Sequence, residues 1–114
     1  MSTKPTKFVS VVVSDEDIME GSEASPWHCP VALAIERATG MRASVSVTMA
    51  WLAGRDWTAK EAIHLPEEIS ARIRELDDYG DVAREEWTSY PLDSPERAFD
   101  IEIAADWIGD EFGG

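Results

Sequence analysis

The sequence predicts an α+β fold: a single domain in which two helices cover one face of a four-stranded antiparallel sheet, in the split βαβ order of ferredoxin-like folds. Three observations carry that expectation. Residues 8–13, FVSVVV, are a β-branched run suited to a strand. Residues 43–51, ASVSVTMAW, alternate apolar and polar side chains. Two stretches, 29–39 and 66–79, repeat apolar residues at helical spacing and each has a proline at its opening.

At 114 residues the chain suits one domain spanning 1–114, large enough to build a core without covalent staples. Residues 1–7 are polar and read as a loose N-terminal tail. The valine-rich strand follows, at 8–13. Ser14 can cap a short helix that begins Asp15-Glu16-Asp17, with acids in the first turn, and Gly21 ends it. A loop over 22–28 leads to Cys29-Pro30, where proline fits a first helical position. The helix runs to about Thr39, with Val31, Ala34, Ile35 and Ala38 on one face and Gly40 as the stop.

After Gly40, Ala43, Val45, Val47, Met49 and Trp51 are expected on the buried face of one strand, with Ser44, Ser46 and Thr48 on the wet face. Gly54-Arg55-Asp56 marks a turn. Residues 57–65 form a weaker strand and close a hairpin. Pro66, Glu67 and Glu68 open the second long helix, with Ile69, Ile73 and Leu76 as its inner stripe and Gly80 as its end. Residues 81–97 read as an acidic loop with a helical turn at 82–88. Residues 98–103 form the last strand, with Phe99, Ile101 and Ile103 inward. Residues 104–114 form an acidic C-terminal extension, with a short helix over 104–112.

Several of these segments resemble a family of short uncharacterised proteins from bacteriophages and actinobacteria. The signature is D-I-x-x-G, a polar gap, then C-P-[IV]-A-x-A; here it reads VSDEDIMEG, SEASPWH and CPVALAIER. The later LPEEISARIRELD and FDIEI are similar as well. The resemblance covers most of residues 9–103. It departs over 79–96, which is longer than the usual link, and over 104–114, which runs past the usual end. It implies a phage or prophage origin, and no activity comes with it.

Charge is the unusual property. The net charge is −13, and it is uneven: residues 66–114 hold four basic and fifteen acidic residues, net −11. A surface this negative repels nucleic acid. It suits a basic protein partner, or it serves solubility. Trp27, Trp51 and Trp57 read as core or core-edge residues. Trp87, Tyr90 and Trp107 sit among acids with little apolar periodicity, as interface anchors do; packing over the sheet is the plain alternative.

Catalytic signatures are lacking. The isolated glycines make no phosphate-cradling loop. One cysteine and two distant histidines give no zinc pattern and no internal disulfide, and suit a cytosolic setting. The acids Asp15-Glu16-Asp17 and Asp77-Asp78-Asp81 read as solvated helix ends, so no metal or other cofactor is expected. Cys29 lies at a helix N-terminus, a place that can activate a thiol, and His28 is its neighbour. Packing as a small buried hydrophobe is the expected role of Cys29. No secretion signal or membrane span is expected, since no segment has the roughly 20 apolar residues that spanning needs.

The resulting expectation is a non-enzymatic phage-type protein in the cytoplasm of a bacterial host. It would bind and block a basic surface of a nucleic-acid enzyme, in the manner of DNA-mimic or anti-CRISPR inhibitors. The expected partner-binding residues are Glu85, Glu86, Trp87, Tyr90, Asp93, Glu96 and Trp107. The alternatives are a small thiol enzyme using Cys29 and His28, or an accessory phage protein that assembles with itself as a homo-oligomer.

Overall fold

The computed structural model of the chain describes residues 6–22, 27–53 and 60–104. The elements run β1 (Thr6–Val12), α1 (Asp15–Glu20), α2 (Pro30–Thr39), β2 (Arg42–Val45), β3 (Met49–Ala53), β4 (Lys60–His64), α3 (Glu67–Tyr79), α4 (Asp81–Ser89) and β5 (Ala98–Ala104). The fold is α+β, but the expected single four-stranded sheet with two helices is not formed. Among the described residues there are two antiparallel sheets, β1–β5 and β2–β3–β4, and four helices.

One unexpected turn adds a strand to the second sheet. Residues 43–51 do not form a single strand: the chain reverses after Val45, and Val45 pairs with Ala50. Ser46 holds the reversal. Its amide donates to the Met49 carbonyl at 2.8 Å, and its hydroxyl accepts from the Met49 amide at 3.2 Å. Serine offers the backbone such local bonds in competition with a ladder. The two-residue turn pairs odd positions with even ones, so burial changes phase. Ala43 and Val45 face inward on β2, Ala50 and Leu52 on β3, and Trp51 faces outward. The β3–β4 pairing is antiparallel, as expected for the hairpin; its turn over 54–59, with Trp57, lies outside the described residues.

The second departure is α4. Within the expected acidic loop over 81–97, the helical turn expected at 82–88 is a full nine-residue helix, Asp81–Ser89. Ala83 and Trp87, four positions apart, form its buried face. Gly80 makes the junction possible, serving as C-cap of α3 and N-cap of α4 with φ 59° and ψ −124°. A side chain is poorly tolerated there, so glycine lets two helices meet without a linker.

The expected tail over 1–7 is shorter at its end, because Thr6 and Lys7 pair in β1 with Ala104 and Ile103. Residues 1–5 and 105–114 lie outside the described residues, and with them most of the acidic extension. One hydrophobic cluster draws on all of the described elements, including Val11, Ile18, Ile35, Ala43, Leu52, Ile63, Ile69, Trp87 and Ile101. No helix among the described residues is long and apolar enough to cross a membrane.

Candidate partner-binding surface

The acidic segment from α4 to β5 is built on arginines that point inward. Arg97 precedes β5 and is 1% exposed. Its Nε donates to the Val13 carbonyl at 2.7 Å and its Nη1 to the carbonyls of Tyr90 at 3.0 Å and Thr88 at 3.2 Å. Its Nη2 meets the Asp15 carboxylate at 2.7 Å. From α4, Arg84 Nη1 donates to the carbonyls of Ile18 at 2.5 Å and Gly21 at 2.6 Å, the open end of α1. From α2, Arg37 grips both Asp17 oxygens, at 2.6 and 2.7 Å, and the Val12 carbonyl at 2.7 Å. Three arginines from three parts of the chain therefore hold the six-residue α1 and its flanks.

Arg72 performs a similar task between α3 and α4. It bridges Glu75 and Glu86 at 2.8 to 3.0 Å and lies 5.2 Å over the Tyr90 ring. Burial lowers its pKa, and the neighbouring Glu75, Glu86 and Tyr90 more than offset that, so the net direction is upward. With Arg42 on Glu36 at 3.8 Å and Arg74 on Glu67 at 3.4 Å, every arginine with a described side chain is paired with a carboxylate. The surplus of acids is left on the outside. Glu16, Glu20, Glu68, Asp78, Glu85 and Asp93 are all exposed. Glu20 of α1 and Asp77 and Asp78 of α3 lie in last helical turns that hold no basic residue. Carboxylates there oppose the helix dipole.

The expected partner-binding residues separate on this framework. Glu85 and Asp93 are exposed. Glu86 is exposed but tied to Arg72, and Tyr90 is half-buried beneath the same guanidinium. Glu96 is half-buried, and its carbonyl accepts from the Trp87 indole at 2.9 Å. Trp87 is 1% exposed and belongs to the core, which corrects its expected role as a surface anchor. Burying an indole requires a partner for its N–H, and Glu96 supplies one. Trp107 lies outside the described residues. The arginine framework had only a weak signal in sequence: isolated basic residues inside strongly acidic stretches.

Cys29 is buried, 5% exposed, and caps α2, with Sγ accepting from the Ala32 amide at 3.4 Å. Burial pushes its pKa up, against the lowering effect of the helix amides, so the thiol stays protonated. His28 is exposed. The two are not organised as nucleophile and base. No group of three or more His, Cys, Asp or Glu among the described residues is arranged to hold a metal ion.

The D-I-x-x-G and C-P segments meet in space. Asp17 is part of a capping box with Ser14 and takes Arg37, and Ile18 is fully buried. Gly21 packs so closely on Pro30 that a Cβ would lie 2.5 Å from the proline ring. These residues join α1 to α2. No family model, curated protein or solved structure matches the chain.

Proposed function

We propose that this protein is a phage-type inhibitor that binds a basic surface of a nucleic-acid enzyme through its outward carboxylates. One observation carries this reading: every arginine with a described side chain is already paired with a carboxylate, while Glu16, Glu20, Glu68, Asp78, Glu85 and Asp93 stand exposed with no ion pair among the described residues. Acids at helix C-termini add to it, because charge needed only for solubility has less unfavourable places to sit. Carboxylates fixed on a rigid frame can take the positions of phosphates and compete for the same lysines and arginines. The carboxylates concerned are Glu85 and Asp93 together with the exposed acids of α1 and α3. Host-cytoplasmic action and kinship with the phage family whose signature it resembles belong to the same proposal.

The test is capture from bacterial lysate at low and high salt, followed by a nucleic-acid-binding assay of the captured enzyme. The expected result is a nucleic-acid enzyme held at low salt, released by high salt, and displaced from its substrate by this protein. A captured partner that still binds nucleic acid fully in the presence of the protein overturns the reading.

A further inference from the structure

The outer face of the β1–β5 sheet carries an open groove of about 560 Å³, within the roughly 300–1,000 Å³ usual for ligand sites. Val12 and Ala98, paired across the two strands, form its floor, and the turn after α4 supplies Leu92 and Asp93 as a wall. Leu92 is 56% exposed, and Phe8, further along the same face, is 68% exposed. Apolar side chains left open along one face are what a binding surface presents. Asp100 stands on this face with one carboxylate oxygen held by the Ser10 hydroxyl at 3.0 Å. That bond fixes the carboxylate and leaves its second oxygen available. No arginine lines the groove among the described residues.

We infer that this groove binds a basic peptide segment of the partner, one that presents an apolar side chain flanked by lysine or arginine. The apolar residue would enter between Val12, Ala98 and Leu92, and the cations would meet Asp93 and Asp100. Charge selects this occupant. A second copy of a chain with net charge −13 would set carboxylate against carboxylate, and nucleic acid would do the same. The inference rests on the proposed basic partner and adds where and how part of it docks.

The experiment titrates two short lysine-rich peptides, one with interspersed leucines and one with serines in their place, into the isotope-labelled full chain. Amide shifts are followed by NMR, in the wild type and in Leu92→Ser. The exposed position of Leu92 makes that variant compatible with folding. The leucine peptide should bind about tenfold more tightly than the serine peptide, the scale of one buried aliphatic side chain. Its shifts should concentrate at residues 10–12, 92–93 and 98–100, and Leu92→Ser should abolish the difference. Equal binding of both peptides, or shifts spread over α3 and α4 without dependence on Leu92, would overturn the inference in favour of diffuse charge attraction. Concentration-dependent shifts at the groove without peptide would overturn it in favour of a second copy. If lysate capture fails while the leucine peptide fills the groove, the groove stands and the inhibitor reading falls. If an enzyme is captured equally well by Leu92→Ser, the reverse holds.

Discussion

Arg97 and Val13, 84 positions apart, are joined twice: the Val13 amide donates to the Arg97 carbonyl at 2.8 Å, and Arg97 Nε donates to the Val13 carbonyl at 2.7 Å. The backbone bond continues the β1–β5 ladder past its last pair. The side-chain bond begins the reach of the guanidinium towards α1 and the end of α4. One residue thus closes the sheet and fastens two helices to it.

Replacing Arg97 by Ala leaves the carbonyls of Val13, Thr88 and Tyr90 without their donor. The expected loss is about 3–5 kcal/mol, the range for breaking a buried charged network. Arg97→Lys should recover less than half, because one ammonium cannot reproduce a planar fork. Asp15→Asn should cost less than Arg97→Ala, since an asparagine oxygen can still accept from Nη2 and Asp15 itself is largely exposed. Urea denaturation measures all three. A lysine variant as stable as wild type would refute this role for the fork.

Much of the fold was readable because it rests on local chemistry. Ser14, Gly21, Pro30, Gly40 and Pro66 mark helix boundaries through their own backbone preferences, and the structure places boundaries there. The turn that adds a strand to the second sheet was not readable. The alternation of 43–51 fits a straight strand and a two-residue reversal equally well until the Ser46 bonds are known. α4 was legible only as a helical turn at 82–88, because its inner face has only Ala83 and Trp87. Trp87 looked like a surface residue because its sequence neighbours are acids; those acids occupy the other side of its helix.

Two glycines should resist substitution for different reasons. Gly21→Ala drives a Cβ into Pro30 from an ordinary backbone conformation, and overpacking of this kind costs about 1–3 kcal/mol. Gly80→Ala forces a side chain onto a positive φ, at about 1–3 kcal/mol. Gly80→Asn should not rescue, because ψ at −124° lies outside the left-handed well that asparagine tolerates. Thermal melts of the three variants decide this, and a Gly80→Asn protein matching wild type would contradict it.

The Cys29 thiol gives a pH signature. Its pKa is raised in the fold from an ordinary value of 9.0, so above that value the unfolded chain loses the proton first. The folded state then holds more protons, and stability falls as pH rises. The contribution is complete below pH 9.0 and is lost as pH climbs through the folded pKa. Cys29→Ser, which keeps a capping atom but has no thiol to titrate, should lack this part of the alkaline decline. The difference in stability between wild type and Cys29→Ser, followed from neutral to alkaline pH, measures it. A flat difference would mean the thiol ionises equally in both states.

Trp87→Ala should act on stability. Emptying a fully buried indole site costs about 3–5 kcal/mol, and the Glu96 carbonyl loses its donor as well. In protein that remains folded, partner dissociation should be little changed. A folded Trp87→Ala variant that releases its partner much faster would restore the indole to the interface.

The outward acids should act on association. Glu16, Glu85 and Asp93 are exposed and form no ion pair among the described residues, so reversing them leaves the arginine framework intact. Glu86 is a poor choice for this purpose, because a lysine there would stand against Arg72. Glu85→Lys alone should change binding free energy by no more than about 1 kcal/mol, the range for a single exposed pair. The triple reversal should slow association with the captured enzyme by about tenfold or more at low salt, since long-range attraction depends on the summed field. Dissociation should change less, and what change there is should trace to Asp93, which lines the groove. The loss should shrink as salt rises and the screening length falls towards roughly 8 Å at physiological ionic strength. Stopped-flow or surface-binding kinetics at two salt concentrations separate the two rates. A triple variant that associates as fast as wild type at low salt would show that the carboxylates do not steer the encounter, and would leave solubility as the reason for a net charge of −13.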